Sequence, residues 1–431
     1  MTQINTISPF YFYIENKVLA SLVAEYFNDD ISWAPDNTAT IDKDILCDIA
    51  GYKTLKSRYE GFASNIFIYD TEDIPEMAPD TVRVQGPVKI GRLYDIIKSS
   101  QSRAKNNQVI SIGQTGFNGR PHAEYNAVKS CKKNLVGSKM YVTLEPCTHY
   151  GKTPPCSNII IKSKIKEVIF PIIDVDNKTK AKSFKIFKSK NIKVKCGILK
   201  KEAKKIYKPY IYNRVKKLPF VTGKLAISKD NFIYSKKRKR ITNIHSDHIN
   251  HLLRYKNDSI LITKKTLNID NPKLSCRIEG LSSYSPKRII LDKNLSINKN
   301  SYIFQSSKRG NTIIIYNKAQ PKLIELFIKK GIKLIKLDTD KTGLFDLALV
   351  LDKIYSLGCR NLLVEGGKFL TNSFLKHDLF NQFYLFQSPN KLGRNAKLNV
   401  LSQLNQLSFK YKNKSKLNSF TGSDIIYLYT K

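Results

Sequence analysis

The chain has little of several things, and each shortage removes a class of protein. No stretch of its 431 residues approaches the roughly 20 consecutive apolar residues of a membrane-spanning helix. The opening MTQINTISPFYFYIENK has no basic leader followed by an apolar stretch and a small-residue cleavage site. A soluble, cytoplasmic protein with no membrane partner is therefore expected. Cysteines number only seven (Cys47, Cys131, Cys147, Cys156, Cys196, Cys276 and Cys359), an odd set spread through a long chain. That excludes the dense disulfide framework of a small secreted domain and leaves metal ligation or plain burial. The dinucleotide fingerprint G-x-G-x-x-G is missing, as is any internal repeat at solenoid spacing.

Acidic residues are scarce overall, 35 against 74 Lys and Arg, for a formal charge of +39. Such a balance first suggests a nucleic-acid surface. Its distribution argues against one. Residues 1–100 carry 9 Lys and Arg against 15 Asp and Glu, whereas the remainder carries 65 against 20. In the basic part, lysines are scattered with Asn and Ile along nearly every segment, as biased base composition would produce. The densest run, Lys236 to Arg240, reads as a solvated loop. Phosphorylated small molecules would still be drawn to such a field.

A chain this long calls for more than one core. Three regions suggest themselves. Residues 1–104 read as an α/β region, with a strand FIYD near Ile66 to Asp70 and a closing helix IGRLYDIIKSS. Residues 107–215 alternate strand VISIG, a helix from His122, strand MYVTL, helix CSNIIIKSKI and strands EVIFPII and IKVKCGIL. Residues 218–431 alternate again, from FVTGKLAI to the terminal IIYLYT. The fold class is α/β, with mostly parallel or mixed sheets covered by helices.

One constellation carries chemistry. His122 and Glu124 stand at the start of a predicted helix. Cys147 follows a strand in Glu145-Pro146-Cys147, and Cys156 opens the next helix after Thr153-Pro154-Pro155. One imidazole and two thiolates suit Zn²⁺ and leave a fourth position for water. Helix N-termini favour the thiolate form of both cysteines. Glu124, two residues from His122, is placed to be the general acid and base rather than a ligand. This is the H-x-E…P-C…C order of zinc base deaminases.

The segments GRPHAE (Gly119 to Glu124), YVTLEPC (Tyr141 to Cys147) and EPCTHYGKTPPC, with eight residues between the cysteines, closely resemble the deaminase half of the bifunctional riboflavin biosynthesis family RibD. The resemblance implies a cytidine-deaminase-like zinc domain over 107–215. Its substrate would be a small phosphorylated pyrimidine, 2,5-diamino-6-(5-phosphoribosylamino)pyrimidin-4(3H)-one, deaminated by hydrolysis. It also implies a reductase over 218–431, with a dihydrofolate-reductase-like fold, in which NADPH reduces the ribosyl chain to ribityl.

Landmarks of that second half follow in order. Pro219 to Ala226 is similar to the family's opening strand, and Ser228-Lys229-Asp230-Asn231 stands where Ser-x-Asp-Gly is usual. Asn tolerates a left-handed backbone almost as Gly does. Thr266 and Asp270-Asn271-Pro272-x-Leu274-x-x-Arg277 match the next motif, with Asn271 in place of Asp. Glu365-Gly366-Gly367, between a strand and a helix, matches the glycine turn, where backbone amides can approach a phosphate. By resemblance, Ala226, Thr266, Asp270, Gly366 and Gly367 border NADPH. Arg254, Leu274, Arg277 and Glu365 face the substrate, the arginines being suited to a phosphate.

The chain departs from the family in two places. Arg238 to Arg240 are basic where a small polar residue and an aromatic are usual. The family's opening deaminase helix and strand, with a Pro-Asn-Pro turn, have no counterpart before His122, the match starting near Gln108. Residues 1–104 instead show a faint likeness to a response-regulator receiver at Gly86 to Leu93; an unrelated extension fits as well. A nucleic-acid base deaminase, and a non-catalytic relative with structural zinc, stand as the alternatives, and a homo-oligomer is left open.

Overall fold

The structure is a computed structural model that describes residues 66–68, 82–84, 110–113, 115–116, 119–235, 240–417 and 421–431. The chain divides into two compact units, Met1–Arg214 and Val215–Lys431. The receiver-like reading of 1–104 lies outside the described residues, apart from two short antiparallel strands, β1 (Ile66–Ile68) and β2 (Val82–Val84).

In the first unit, α1 (Ala123–Ser130) leads to β3 (Lys139–Tyr141), α2 (Cys156–Lys162), β4 (Glu167–Phe170), α3 (Lys182–Lys188) and β5 (Lys193–Cys196). A helix pair follows, α4 (Lys200–Ile206) and α5 (Lys208–Lys216). The strands form one parallel sheet in the order β3-β4-β5. All four residues of the central strand β4 are buried, as expected for a parallel strand covered on both faces. Ile160 of α2 and Phe187 of α3 close over Val168 and Phe170 to form the core. The buried Glu167 carboxylate is met by Lys195 at 2.9 Å.

The expected strand VISIG is a correction. Ile110 to Gly113 are irregular and lie against α1, with no strand partner among the described residues. A Cβ on Gly113 would lie 1.9 Å from the Ala123 carbonyl oxygen, so only glycine permits the approach.

In the second unit, β6 (Phe220–Ile227) and β7 (Phe232–Ser235) are followed by α6 (Ile244–Lys256), β8 (Ser259–Thr263) and α7 (Lys264–Asp270). Next come β9 (Lys287–Leu291), α8 (Tyr302–Gln305), β10 (Thr312–Tyr316), α9 (Pro321–Lys329) and β11 (Lys333–Lys336). The chain continues through α10 (Leu347–Ser356), β12 (Asn361–Val364), α11 (Lys368–Lys376) and β13 (Gln382–Gln387). It closes with β14 (Ala396–Asn399), α12 (Leu401–Lys410), β15 (Asn413–Lys416) and β16 (Ile425–Thr430).

Nine strands make one mixed sheet, β11-β10-β9-β8-β12-β6-β13-β16-β15, parallel from β11 through β13 and antiparallel beyond it. Its inner parallel strands are largely buried, and all five residues of β10 are buried. The helix α10 shows how the cover is built. Asp346 caps it by accepting a hydrogen bond from the Ala348 amide at 2.8 Å, and Leu347, Val350, Leu351 and Ile354 turn one stripe inward. β6, β8 and β12 are neighbours and run the same way, so their carboxyl ends open on one edge. Ligands of open α/β sheets bind at such an edge.

Candidate functional site

Three local features assemble the first site. His122 is the N-cap of α1 in an extended conformation, and Glu124 is buried in that helix's first turn. Cys156 is the first residue of α2, and its amide donates to Cys147 Sγ at 3.3 Å. Cys147 reaches it on the loop that leaves β3. His122 Nδ1 lies 3.3 Å from Cys156 Sγ and 3.5 Å from Cys147 Sγ, and the three donor atoms all fall within 4.8 Å of one another. A tetrahedral zinc at about 2.0 Å from nitrogen and about 2.3 Å from sulfur would set N···S near 3.5 Å, so the donor set fits that ion. Beside Cys147, the Thr148 hydroxyl is buried with no hydrogen-bond partner among the described residues.

Electrostatics agree with this chemistry. The Cys156 thiol donates to Cys147, and with the His122 ring and the Cys156 amide it overcomes burial to bring the Cys147 thiol down to about 4. The same shared proton, with burial, pushes Cys156 up. Zinc ligation needs both sulfurs as thiolates, and the surroundings of Cys147 already favour that form. Burial raises the Glu124 carboxyl above its usual range, which suits a group that must hold a proton and release it.

The second site forms at the carboxyl edge of β6, β8 and β12. Ala226 lies near the end of β6, opposite Phe386 of β13. Glu365 follows β12, and Gly367 is the N-cap of α11 with no side chain capping its first-turn amides. Thr266, in α7, faces that turn, since a Cβ on Gly367 would point to within 4.0 Å of the Thr266 hydroxyl. Helix N-terminal amides that no side chain caps, beside a threonine hydroxyl, fit a phosphate-bearing cofactor. Arg254, on α6, forms a bidentate pair with Glu365, both hydrogen bonds at 2.8 Å, and also donates to the Ser275 carbonyl.

Three expected residues sit less directly. Leu274 is buried, with φ 55°, so what it can present to a ligand is backbone rather than side chain. Arg277 is exposed and feels the positive charges of Arg254 and Arg240. Asp270, at the end of α7, is exposed. Of the basic run, Arg240 is described and pairs with Asp247 at 3.0 Å; residues 236–239 lie outside the described residues.

Residues 102–172 match the family model for the cytidine and deoxycytidylate deaminase zinc-binding region, and residues 219–423 match the RibD C-terminal domain. The riboflavin biosynthesis protein RibD of Chlamydia trachomatis is 32% identical over 296 residues, covering 67% of this chain and 77% of that protein. The chain belongs to the RibD family. RibD of Aquifex aeolicus is 28% identical over 329 residues, covering 76% of this chain and 90% of the other. Among solved structures, the diaminohydroxyphosphoribosylaminopyrimidine deaminase/5-amino-6-(5-phosphoribosylamino)uracil reductase of Thermotoga maritima is similar, with TM-score 0.63 and 27% identity over 76% of this chain and 90% of that one. Acinetobacter baumannii RibD shares the fold, with TM-score 0.64 at 24% identity. As a RibD-family enzyme, the protein works in riboflavin biosynthesis as a zinc-dependent deaminase and an NADPH-dependent reductase.

Two residues of this RibD-family chain escaped the sequence reading. Glu145, part of the Glu145-Pro146-Cys147 motif, is buried and accepts from the amides of Asp174, Ala181 and Ser183 and from the Ser183 hydroxyl at 2.7–3.2 Å. It ties the Cys147 loop to the chain beyond β4. Lys224 lies inside the apolar strand β6, over the Phe386 ring at 4.9 Å. Burial lowers its pKa while the nearby Glu365 charge opposes that shift. A lysine in the middle of FVTGKLAI was the signal available.

Proposed function

We propose that residues 107–215 remove the ring amine of 2,5-diamino-6-(5-phosphoribosylamino)pyrimidin-4(3H)-one by hydrolysis, and that residues 218–431 then reduce its ribosyl chain. The observation that carries the first half is the 3.3 and 3.5 Å approach of His122 Nδ1 to the two sulfurs, with the buried Glu124 on the same helix turn.

His122, Cys147 and Cys156 would hold zinc, which supplies the Lewis acidity that makes water nucleophilic near neutral pH. Glu124 takes a proton from the attacking water on its carboxylate and delivers it to the departing amine. Water's oxygen joins the ring carbon, the carbon–nitrogen bond breaks, and ammonia leaves. Burial, which raises the Glu124 carboxyl, favours its holding the proton during the transfer.

In the second half, the amides that open α11 after Gly366-Gly367 and the Thr266 hydroxyl would hold NADPH, with Ala226 and Asp270 bordering it; the cofactor supplies a hydride. Glu365 holds Arg254 in one orientation, and Arg254 with Arg277 offers positive charge to the ribose phosphate. Leu274 contributes its backbone.

The test separates the two halves. Purified protein should carry about one zinc per chain, release ammonia from the diaminopyrimidine phosphate, and oxidise NADPH when given the deaminated product. Zinc without either turnover would favour a non-catalytic relative, and release of ammonia from RNA alone would favour a nucleic-acid deaminase.

A further inference from the structure

The helix pair that follows β5 was absent from the sequence reading, yet it reaches the zinc loop. Tyr207, at the junction of α4 and α5, places its hydroxyl 2.6 Å from Thr143 Oγ1. Thr143 leaves β3 four residues before Cys147. Its neighbour Val142 packs on the core, and the Val142 amide still bonds to Ile169 of β4, so the strand edge is held on one side by the sheet and on the other by the tyrosine. One turn later, Tyr210 meets Tyr207 edge to face, with ring centroids 6.1 Å apart, and donates to Asp174 Oδ1 at 2.9 Å. The Asp174 amide in turn donates to Glu145. Two tyrosines of one helix pair thus reach the segment that leads into Cys147, Tyr207 at Thr143 directly and Tyr210 at Glu145 through Asp174. Tyr207 also lies close enough to feel the Glu124 charge.

We propose that Tyr207, acting through Thr143, is a positioning residue of the deaminase, setting the Cys147 loop against the Glu124 helix. The proposal rests on His122, Cys147 and Cys156 holding zinc. Outer contacts that orient ligands are worth about 10–100-fold in activity or metal affinity, and the lower end suits a group one step removed from Cys147.

The experiment uses the full-length zinc enzyme and its Tyr207→Phe, Thr143→Val and Thr143→Ser variants. In Tyr207→Phe, kcat for ammonia release should fall about tenfold while KM moves less than about twofold, and a chelator should extract zinc faster. The visible band of the cobalt-substituted protein should shift. NADPH oxidation on deaminated substrate and the melting temperature serve as internal controls and should hold. Thr143→Val should match Tyr207→Phe, the double variant should be no worse than either, and Thr143→Ser should retain activity. Wild-type kcat, zinc extraction and cobalt spectrum in Tyr207→Phe would overturn the proposal, as would losses that multiply in the double variant. A His122→Ala protein that keeps its zinc would instead overturn the ligand assignment.

Discussion

Replacing Glu365 by Gln tests the buried ion pair at the reductase edge. Glu365 and Arg254 are joined by two hydrogen bonds of 2.8 Å, and their side chains are 13% and 9% exposed. Breaking a buried pair by removing one partner costs about 3–5 kcal/mol. The amide keeps one acceptor oxygen, and a hydrogen bond to a charged group retains about 1.5–3 kcal/mol. A net loss of about 2 kcal/mol follows, which in a unit of this size lowers the melting temperature by about 4–8 °C. Lys224 adds to the penalty, because it too loses the negative charge beside it.

The pH dependence sharpens this test. Burial pushes the Glu365 carboxyl up, but the Arg254 charge, its hydrogen bonds and Lys224 outweigh that and hold it below 4.5. A depressed carboxyl contributes stability that is fully present above the unfolded value and is lost as pH falls through the folded one. The difference in unfolding free energy between wild type and Glu365→Gln, measured by urea titration, should therefore be constant at neutral pH and narrow below pH 4.5. A variant as stable as wild type at pH 7, or a gap that persists unchanged in acid, would refute the reasoning.

His122→Ala and Cys156→Ser should each abolish zinc binding and ammonia release while leaving NADPH oxidation of the deaminated product intact, as checked by metal analysis beside the two separate assays. Glu124→Gln should keep its zinc but lose about 10²–10⁴-fold in deamination, the usual worth of a general acid–base group; retained turnover would remove Glu124 from the mechanism. Adding a methyl at Gly367 puts a Cβ into the space before Thr266, so Gly367→Ala should weaken NADPH binding, read by fluorescence titration, without altering ammonia release. Glu145→Gln should destabilise the first unit, because its carboxylate accepts four hydrogen bonds out of water, and thermal melts would show it.

The linear order of residues carried the chemistry of the zinc centre, because each part of it is local. His122 and Glu124 lie in one helix turn, Cys156 opens the next helix, and the eight-residue loop between the cysteines bears the family's own signature. Most strands were legible for a similar reason: a parallel strand such as β10 is buried on both faces and reads as an unbroken apolar run. Asn231 and Asn271, standing where Gly and Asp are usual, take φ of 63° and 42°, the left-handed backbone that asparagine accommodates.

Tertiary structure decided what depends on pairing across distance. The order β8-β12-β6-β13 brings Thr266, Glu365 and Ala226 to one edge, and no local pattern states which strands become neighbours. VISIG has the composition of a strand, yet it lies against α1 with no strand partner among the described residues, because β propensity reflects a packing site and not the segment alone. Lys224 and Glu145 read as ordinary charges in sequence. Only burial, which concentrates their electrostatic effect and demands partners, marks them as parts of the two sites. The tyrosines of α4 and α5 act through hydroxyls whose partners stand 36 and 64 residues away. The residue types at the zinc centre were written in the chain, and the fold supplied the frame that holds them at ligand distance.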